Sequence, residues 1–91
     1  MPADLAFELG YLLSDLLGSE VVVEGYEFDP SEARLCVRVR SGSRAGEACA
    51  TVRSCRGLEG VKAVRCLSRT LAQGGKPLEE LARAVKEALG V

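Results

Sequence analysis

The chain has 91 residues, of which 47% are hydrophobic and 27% charged, and its formal net charge is −1. A chain of this length has room for one core, so residues 1–91 are expected to form a single small domain that buries roughly 60–65% of its unfolded-chain surface. The composition is typical of a globular protein, and no apolar run approaches the roughly 20 residues that cross a bilayer, which predicts that a membrane is not the partner.

The spacing of leucines predicts a first helix over residues 2–17. Asp4 lies near its start and Gly18 suits its C-terminal cap. Phe7 and Tyr11 widen the apolar stripe beyond what one sheet contact requires, which predicts a second contact surface on this helix.

Two β-rich segments follow, at residues 20–28 and 33–41, and the Asp29-Pro30-Ser31 sequence between them predicts a hairpin turn. The second segment alternates strictly between apolar and polar positions. One side of the predicted strand is therefore apolar, and the other carries Arg34, Cys36, Arg38 and Arg40.

The second half of the chain contains two segments whose interpretation decides the fold. Residues 44–57 are predicted to form a helix. Residues 61–71 fit either a strand or a helix, and the strand is preferred because of the glycine-bounded entry and the valines. The helical alternative would align Val61, Val64 and Leu71 on one side.

The last helix has the clearest signals. It is predicted over Pro77–Leu89, with Pro77 at the first helical position, Glu79 and Glu80 near the positive end of the helix dipole and Lys86 near the negative end. The predicted fold class is therefore α+β: a two-layer sandwich of order α-β-β-α-β-α, with a small three-stranded sheet and helices packed on one face. The other sheet face must meet either water or a partner.

The charges are segregated along the chain. Residues 1–32 contain eight acidic and no basic residues, whereas residues 33–76 contain ten basic residues and two acidic ones. One interpretation is a nucleic-acid interface, since guanidinium groups bind phosphate oxygens in a bidentate fork. The residues predicted to contact RNA or DNA, joined by segment 61–70, are Arg34, Arg38, Arg40 and Arg44. The alternative is cross-strand pairing of Arg38 or Arg34 with Glu24 and Glu27, and the lack of aromatic residues among the arginines counts against nucleic acid.

The four cysteines are separated by 12, 5 and 10 intervening residues, so no pair has the close spacing of zinc ligands and no metal site is expected. Cys36 and Cys66 lie on two predicted strands and would form a disulfide if those strands were neighbours. The alternative is that the cysteines are free and buried as small apolar residues.

The chain has no asparagine or isoleucine, and arginine outnumbers lysine nine to three. This profile favours a heat-adapted source, where intracellular disulfides are documented. The N-terminus is acidic and lacks the basic region of a signal peptide, which predicts a cytoplasmic protein.

No catalytic constellation is visible, because a chain without histidine cannot assemble a Ser-His-Asp or Cys-His arrangement. The glycine-rich segments lack the spacing of a phosphate-binding loop, so no cofactor is expected. Gly57 and Gly60 have the Gly-x-x-Gly spacing of the KH loop, but Glu59 between them and the strand expected after them depart from that pattern. The sequence therefore favours a non-catalytic interaction or assembly module that binds itself, as a homodimer, or another protein; the alternative is an RNA- or DNA-binding domain.

Overall fold

The computed structural model describes residues 4–90. The elements in chain order are α1 (Leu5–Leu17), β1 (Val22–Asp29), β2 (Arg34–Ser41), β3 (Arg44–Thr51), a 3₁₀ turn η1 (Arg53–Cys55), α2 (Gly60–Ala72) and α3 (Lys76–Leu89). The strands form one antiparallel sheet in the order β1-β2-β3. The predicted α+β class, with helices packed against a three-stranded sheet, is confirmed. The order of elements is corrected to α-β-β-β-α-α.

The predicted first helix is confirmed over Leu5–Leu17, while residues 2 and 3 lie outside the described residues. The Asp4 carboxylate caps the helix by accepting a hydrogen bond from the Ala6 N–H at 3.1 Å. Gly18 ends it with φ 68°, a left-handed conformation that costs glycine little.

The predicted hairpin of β1 and β2 is also confirmed, and Asp29 organises its turn. One Asp29 carboxylate oxygen accepts hydrogen bonds from the Ser31 hydroxyl at 2.8 Å and from the Ser31 N–H at 3.0 Å. The hydroxyl bond is the main cause that lowers the pKa of the Asp29 carboxyl, because it favours the charged form. A bulge between Val23 and Gly25 shifts the register of β1 against β2.

The helix predicted over residues 44–57 is wrong: the segment forms β3 and then η1. Gly42 and Ser43 are the two loop residues of a second hairpin, and Gly42 takes φ 63° at the first loop position, as a type II′ turn requires. Beyond the turn, Ala48 and Ala50 are buried while the residues between and beside them are not, which is the period of a strand.

The preference for a strand over residues 61–71 is also wrong, and the helical alternative is correct. Ala63, Leu67 and Leu71 recur at four-residue spacing and are the buried positions of α2. The glycine-bounded entry is the start of this helix, because Gly60 is its first residue.

The predicted last helix is confirmed as Lys76–Leu89, and it runs antiparallel to β3 along the free edge of the sheet. The Glu80 carboxylate accepts a hydrogen bond from the Thr51 N–H at 2.8 Å, which satisfies a donor at that edge. At the other end, Gly46 of β3 lies against Ala88 of α3. Glycine at position 46 has no side chain, and this lets α3 lie close to β3.

The helices and the sheet share one core. Leu35, Val37 and Val39 of β2 are at most 1% exposed and belong to the same apolar cluster as the buried residues of all three helices. The polar positions of β2 face the other way, so the helices cover a single face of the sheet. Within residues 4–90 no helix has the length and apolar character needed to cross a membrane.

The close contact between β3 and α3 predicts that Gly46→Ala is destabilising. A Cβ at position 46 would lie 3.0 Å from the Ala88 Cβ and 3.1 Å from the Ala88 carbonyl oxygen, so the helix must shift. We expect the free energy of unfolding to fall by about 1–3 kcal/mol, the usual cost of overpacking, in urea denaturation.

Gly25→Ala is the matched control, because a Cβ there would meet only the mobile end of the Arg38 side chain. We expect the control to stay within about 0.5 kcal/mol of the parent protein. Equal losses in the two variants would contradict a close backbone contact between β3 and α3.

Candidate interaction surfaces

The face of the sheet away from the helices, which we call the open sheet face, carries three of the four predicted arginines. Arg34, Arg38 and Arg40 project from β2 at alternate positions and are exposed. Arg40 Nε forms an ion pair with Glu24 Oε2 at 2.9 Å. The guanidinium of Arg38 lies across Gly25, its cross-strand neighbour, in the space that a Cβ would occupy.

Acidic residues are interspersed with these arginines. The register places Asp29 opposite Arg34 and Glu47 opposite Arg38. Together with Glu24 and Glu27, the open sheet face has four acids and three bases. Cross-strand pairing is therefore present, although it joins Glu24 to Arg40 and not to Arg38 or Arg34 as the sequence suggested, and the face has no excess of positive charge.

Arg44 is separated from the other three arginines because it lies on the helical side of the sheet. Its Nη1 donates hydrogen bonds to the Leu89 carbonyl oxygen at 2.9 Å and to the Gly90 carbonyl oxygen at 2.8 Å. These carbonyls end α3, where the helix dipole is negative. The structure thus places Arg44 at the end of a helix, and the four predicted residues do not form one surface.

The cysteines form two disulfides, neither of them the predicted pair of Cys36 and Cys66. Cys36 is bonded to Cys49, its neighbour in the ladder of β2 and β3, and Cys55 is bonded to Cys66. The predicted pairing is wrong because residues 61–71 are helical. Cys66 consequently lies on the helical side of the sheet, whereas Cys36 faces the open side.

The second contact surface predicted on α1 corresponds to two aromatic side chains that we call the α1 ridge. Phe7 and Tyr11 lie one helical turn apart and are 75% and 71% exposed. On one side of the ridge a groove of about 470 Å³ extends to the edge of β1, where residues 21–23 line it. On the other side, a groove of about 250 Å³ extends towards Ser68 and Ala72 of α2.

Acidic side chains surround the α1 ridge. Asp4 and Glu20 line the larger groove and Glu8 lines the smaller one. Glu8 also accepts a hydrogen bond from the Ser68 hydroxyl, which ties α1 to α2. The ridge is therefore an apolar strip with a negative rim.

A polar cleft of about 890 Å³ lies where β3, η1, the end of α2 and the start of α3 meet. Its charged lining is mixed, with Arg53, Lys76 and Arg83 on one hand and Glu79 and Glu80 on the other. The Glu80 carboxylate already accepts a hydrogen bond from the Thr51 N–H. Among residues 4–90, no three histidine, cysteine or carboxylate groups come together as a metal site would require.

Comparison of the chain with protein-family models, with curated proteins and with solved structures found no significant match.

The position of Arg44 predicts that it acts in stability. We expect Arg44→Met to lower the free energy of unfolding by about 1–2 kcal/mol, because two charge-assisted hydrogen bonds to helix-end carbonyls are lost. Arg34→Met, on the open sheet face, is the matched control and should change stability by less than about 0.5 kcal/mol in urea denaturation. A larger loss in Arg34→Met than in Arg44→Met would contradict this assignment.

The two disulfides should differ in their resistance to reduction. Cys36 and Cys49 lie on the open sheet face and are both partly exposed, whereas in the other disulfide only Cys66 is partly exposed and Cys55 is fully buried. Because thiol exchange requires access to a sulfur atom, we expect rising dithiothreitol to open Cys36–Cys49 first, as measured by alkylation and peptide mass spectrometry. In a Cys36→Ala/Cys49→Ala double variant, the remaining Cys55–Cys66 disulfide should open only at the higher of the two dithiothreitol concentrations. Earlier opening of Cys55–Cys66 would refute this order.

Proposed function

We propose that the chain is a non-catalytic assembly module that forms a homodimer through the α1 ridge. The observation that supports this proposal is the pair of aromatic side chains exposed side by side, Phe7 and Tyr11. Aromatic residues are enriched in protein interfaces, because they bury a large area at a low entropic cost. In a domain whose other aromatic residues, Tyr26 and Phe28, pack against the core, the exposed pair is best explained by a partner.

A second copy of the chain fits this surface because the surface alternates between a ridge and a groove. A twofold interface brings the same patch of both subunits together, so it must be self-complementary. With an axis near Tyr11, each ridge could enter the larger groove of the other copy, which is lined by Ala6, Gly10 and Ser14. Gly10 is buried, and a Cβ there would lie 3.2 Å from the Val21 carbonyl oxygen, so the glycine lets α1 pack closely on the start of β1 beneath that groove.

The acidic rim gives such a dimer an unusual salt dependence. Asp4, Glu8 and Glu20 of one copy would approach the same residues of the other, which weakens association at low ionic strength. Salt screens this repulsion and leaves the apolar contact in place. An oligomer held by acidic and basic surfaces would respond in the opposite direction.

The compartment is also part of the proposal. Two disulfides in one small domain favour a non-reducing environment. A cytoplasmic location is compatible with them if the source is heat-adapted, because intracellular proteins of hyperthermophiles are rich in disulfides.

The test is light scattering coupled to size-exclusion chromatography over a range of protein and salt concentrations. We expect twice the 9.7 kDa chain mass for the parent protein and the single mass for Phe7→Ser/Tyr11→Ser. Val61→Ser is the matched control, because Val61 is 69% exposed but lies on α2. The control should remain dimeric, and the dimer should tighten as salt rises.

Two results would refute the proposal. One is a parent protein that stays monomeric at every concentration and salt tested. The other is a dimer that survives in Phe7→Ser/Tyr11→Ser, or that dissociates as salt rises, because association would then use another surface or charge pairing. Circular dichroism of each variant checks that the fold is intact.

A further inference from the structure

The side of α2 that faces away from the core carries three bases and no acid. Lys62, Arg65 and Arg69 are exposed and recur at spacings of three and four residues, so they lie on one side of the helix. The buried positions, Ala63 and Leu67 among them, occupy the opposite side. The bases therefore form a continuous row that spans about 10 Å along the helix axis.

The 3₁₀ turn η1 and the residue that follows it add two more exposed arginines beside α2. Arg53 and Arg56 flank the Cys55–Cys66 disulfide, which ties η1 directly to α2. The hydroxyl oxygens of Ser54 and Thr70 are hydrogen-bonded at 3.1 Å across the same junction. We call the resulting set the η1–α2 basic surface: Arg53, Arg56, Lys62, Arg65 and Arg69.

The three bases of α2 have little compensating charge. Arg53, in contrast, shares the polar cleft with Glu79 and Glu80. Between residues 53 and 72 the only acid is Glu59, at the N-terminal cap of α2. Among residues 4–90 the one ion pair within 4 Å joins Arg40 and Glu24, on the open sheet face. Arg56 Nη1 donates a hydrogen bond to the Ser31 carbonyl oxygen at 2.9 Å, and the other N–H groups of its guanidinium can still bind a ligand.

We propose that the η1–α2 basic surface binds the phosphate backbone of duplex nucleic acid. A row of bases about 10 Å long covers roughly three phosphate steps along one strand. Arginine, which supplies four of the five bases, binds phosphate oxygens with a bidentate fork. This places nucleic-acid binding on α2 and η1 instead of on the open sheet face, where acids outnumber the arginines.

The side chains of this surface also predict how specific its binding is for nucleotide sequence. Residues 53–72 contain no aromatic side chain, so there is no platform on which unpaired bases could stack. Without base contacts, binding should be independent of sequence and strongly dependent on salt. The η1–α2 basic surface shares no residue with the α1 ridge, so this proposal and the dimer proposal can fail separately.

The test measures fluorescence anisotropy of a labelled random-sequence DNA duplex, and separately of an RNA duplex, over a series of salt concentrations. The test variant is Lys62→Gln/Arg65→Gln/Arg69→Gln. The matched control, Arg34→Gln/Arg38→Gln/Arg40→Gln, removes the same charge from the open sheet face. We expect the test variant to lose at least about tenfold in affinity at low salt and the control less than about threefold.

The salt series adds a second readout. Each phosphate contact contributes about −0.9 to the slope of log affinity against log salt on DNA, so the slope of the test variant should be shallower by about 2–3. If the triple variant does not fold, the single variant Arg65→Gln replaces it, and its slope of log affinity against log salt should be shallower by about 1. Comparison of the two duplexes shows whether the backbone of DNA or of RNA is preferred.

Three results would overturn the proposal. The first is a parent protein without salt-sensitive binding to either duplex. The second is an equal or greater loss in the sheet-face control. The third is competition by poly-glutamate as effective as competition by unlabelled duplex, because the surface would then serve an acidic protein.

Discussion

The fold depends on the alternation of side chains along β2, the central strand. Leu35, Val37 and Val39 point to one side and are almost completely buried, and they form the layer on which the helices pack. Because the side-chain period of a strand is two, the polar positions between them must face away from the core. One face of the sheet is thereby committed to the helices, and the other is left open and polar.

A sheet of three strands has only one central strand, so its two edges also need protection. The Ser14 hydroxyl of α1 pairs with both backbone groups of Val21, just before β1, at 2.8 and 3.1 Å. On the other edge, the Glu80 carboxylate accepts a hydrogen bond from the Thr51 N–H of β3. The outer helices thus serve two purposes, since they fill the core and satisfy edge groups that could otherwise pair with another chain.

The elements with strong local signals were predictable, and the errors lie in the two segments 44–57 and 61–71. The first helix, the first hairpin and the last helix follow from leucine spacing, strict alternation and Pro77. The prediction of a helix over residues 44–57 placed Ala48, Val52 and Cys55 on one side of it. Gly42-Ser43 is a hairpin signal, however, and the strand period runs through Ala48 and Ala50. For residues 61–71 the valines were weighed above the four-residue spacing of Ala63, Leu67 and Leu71.

The errors about Arg44 and the cysteines follow from the missed second hairpin. Its two-residue loop pairs Ser41 with Arg44 and Cys36 with Cys49, so even-numbered residues of β2 face the same side as odd-numbered residues of β3. Arg44 therefore leaves the side of Arg34, Arg38 and Arg40, and Cys49 joins Cys36. With the hairpin register, both could have been derived from the sequence, because register decides which face each residue occupies.

The two disulfides act on different parts of this architecture. Cys36–Cys49 links residues that the β2–β3 ladder already holds opposite each other. Cys55–Cys66 links η1 to α2, which share no ladder, and closing a loop of that length lowers the entropy of the unfolded chain by the equivalent of about 3 kcal/mol. It also holds Arg53 and Arg56 beside the bases of α2. Packing and hydrogen bonds hold α1 in place, and no disulfide reaches it, whereas Cys55–Cys66 holds η1 beside α2. Reduction should therefore displace Arg53 and Arg56 from the bases of α2 while leaving the α1 ridge in place.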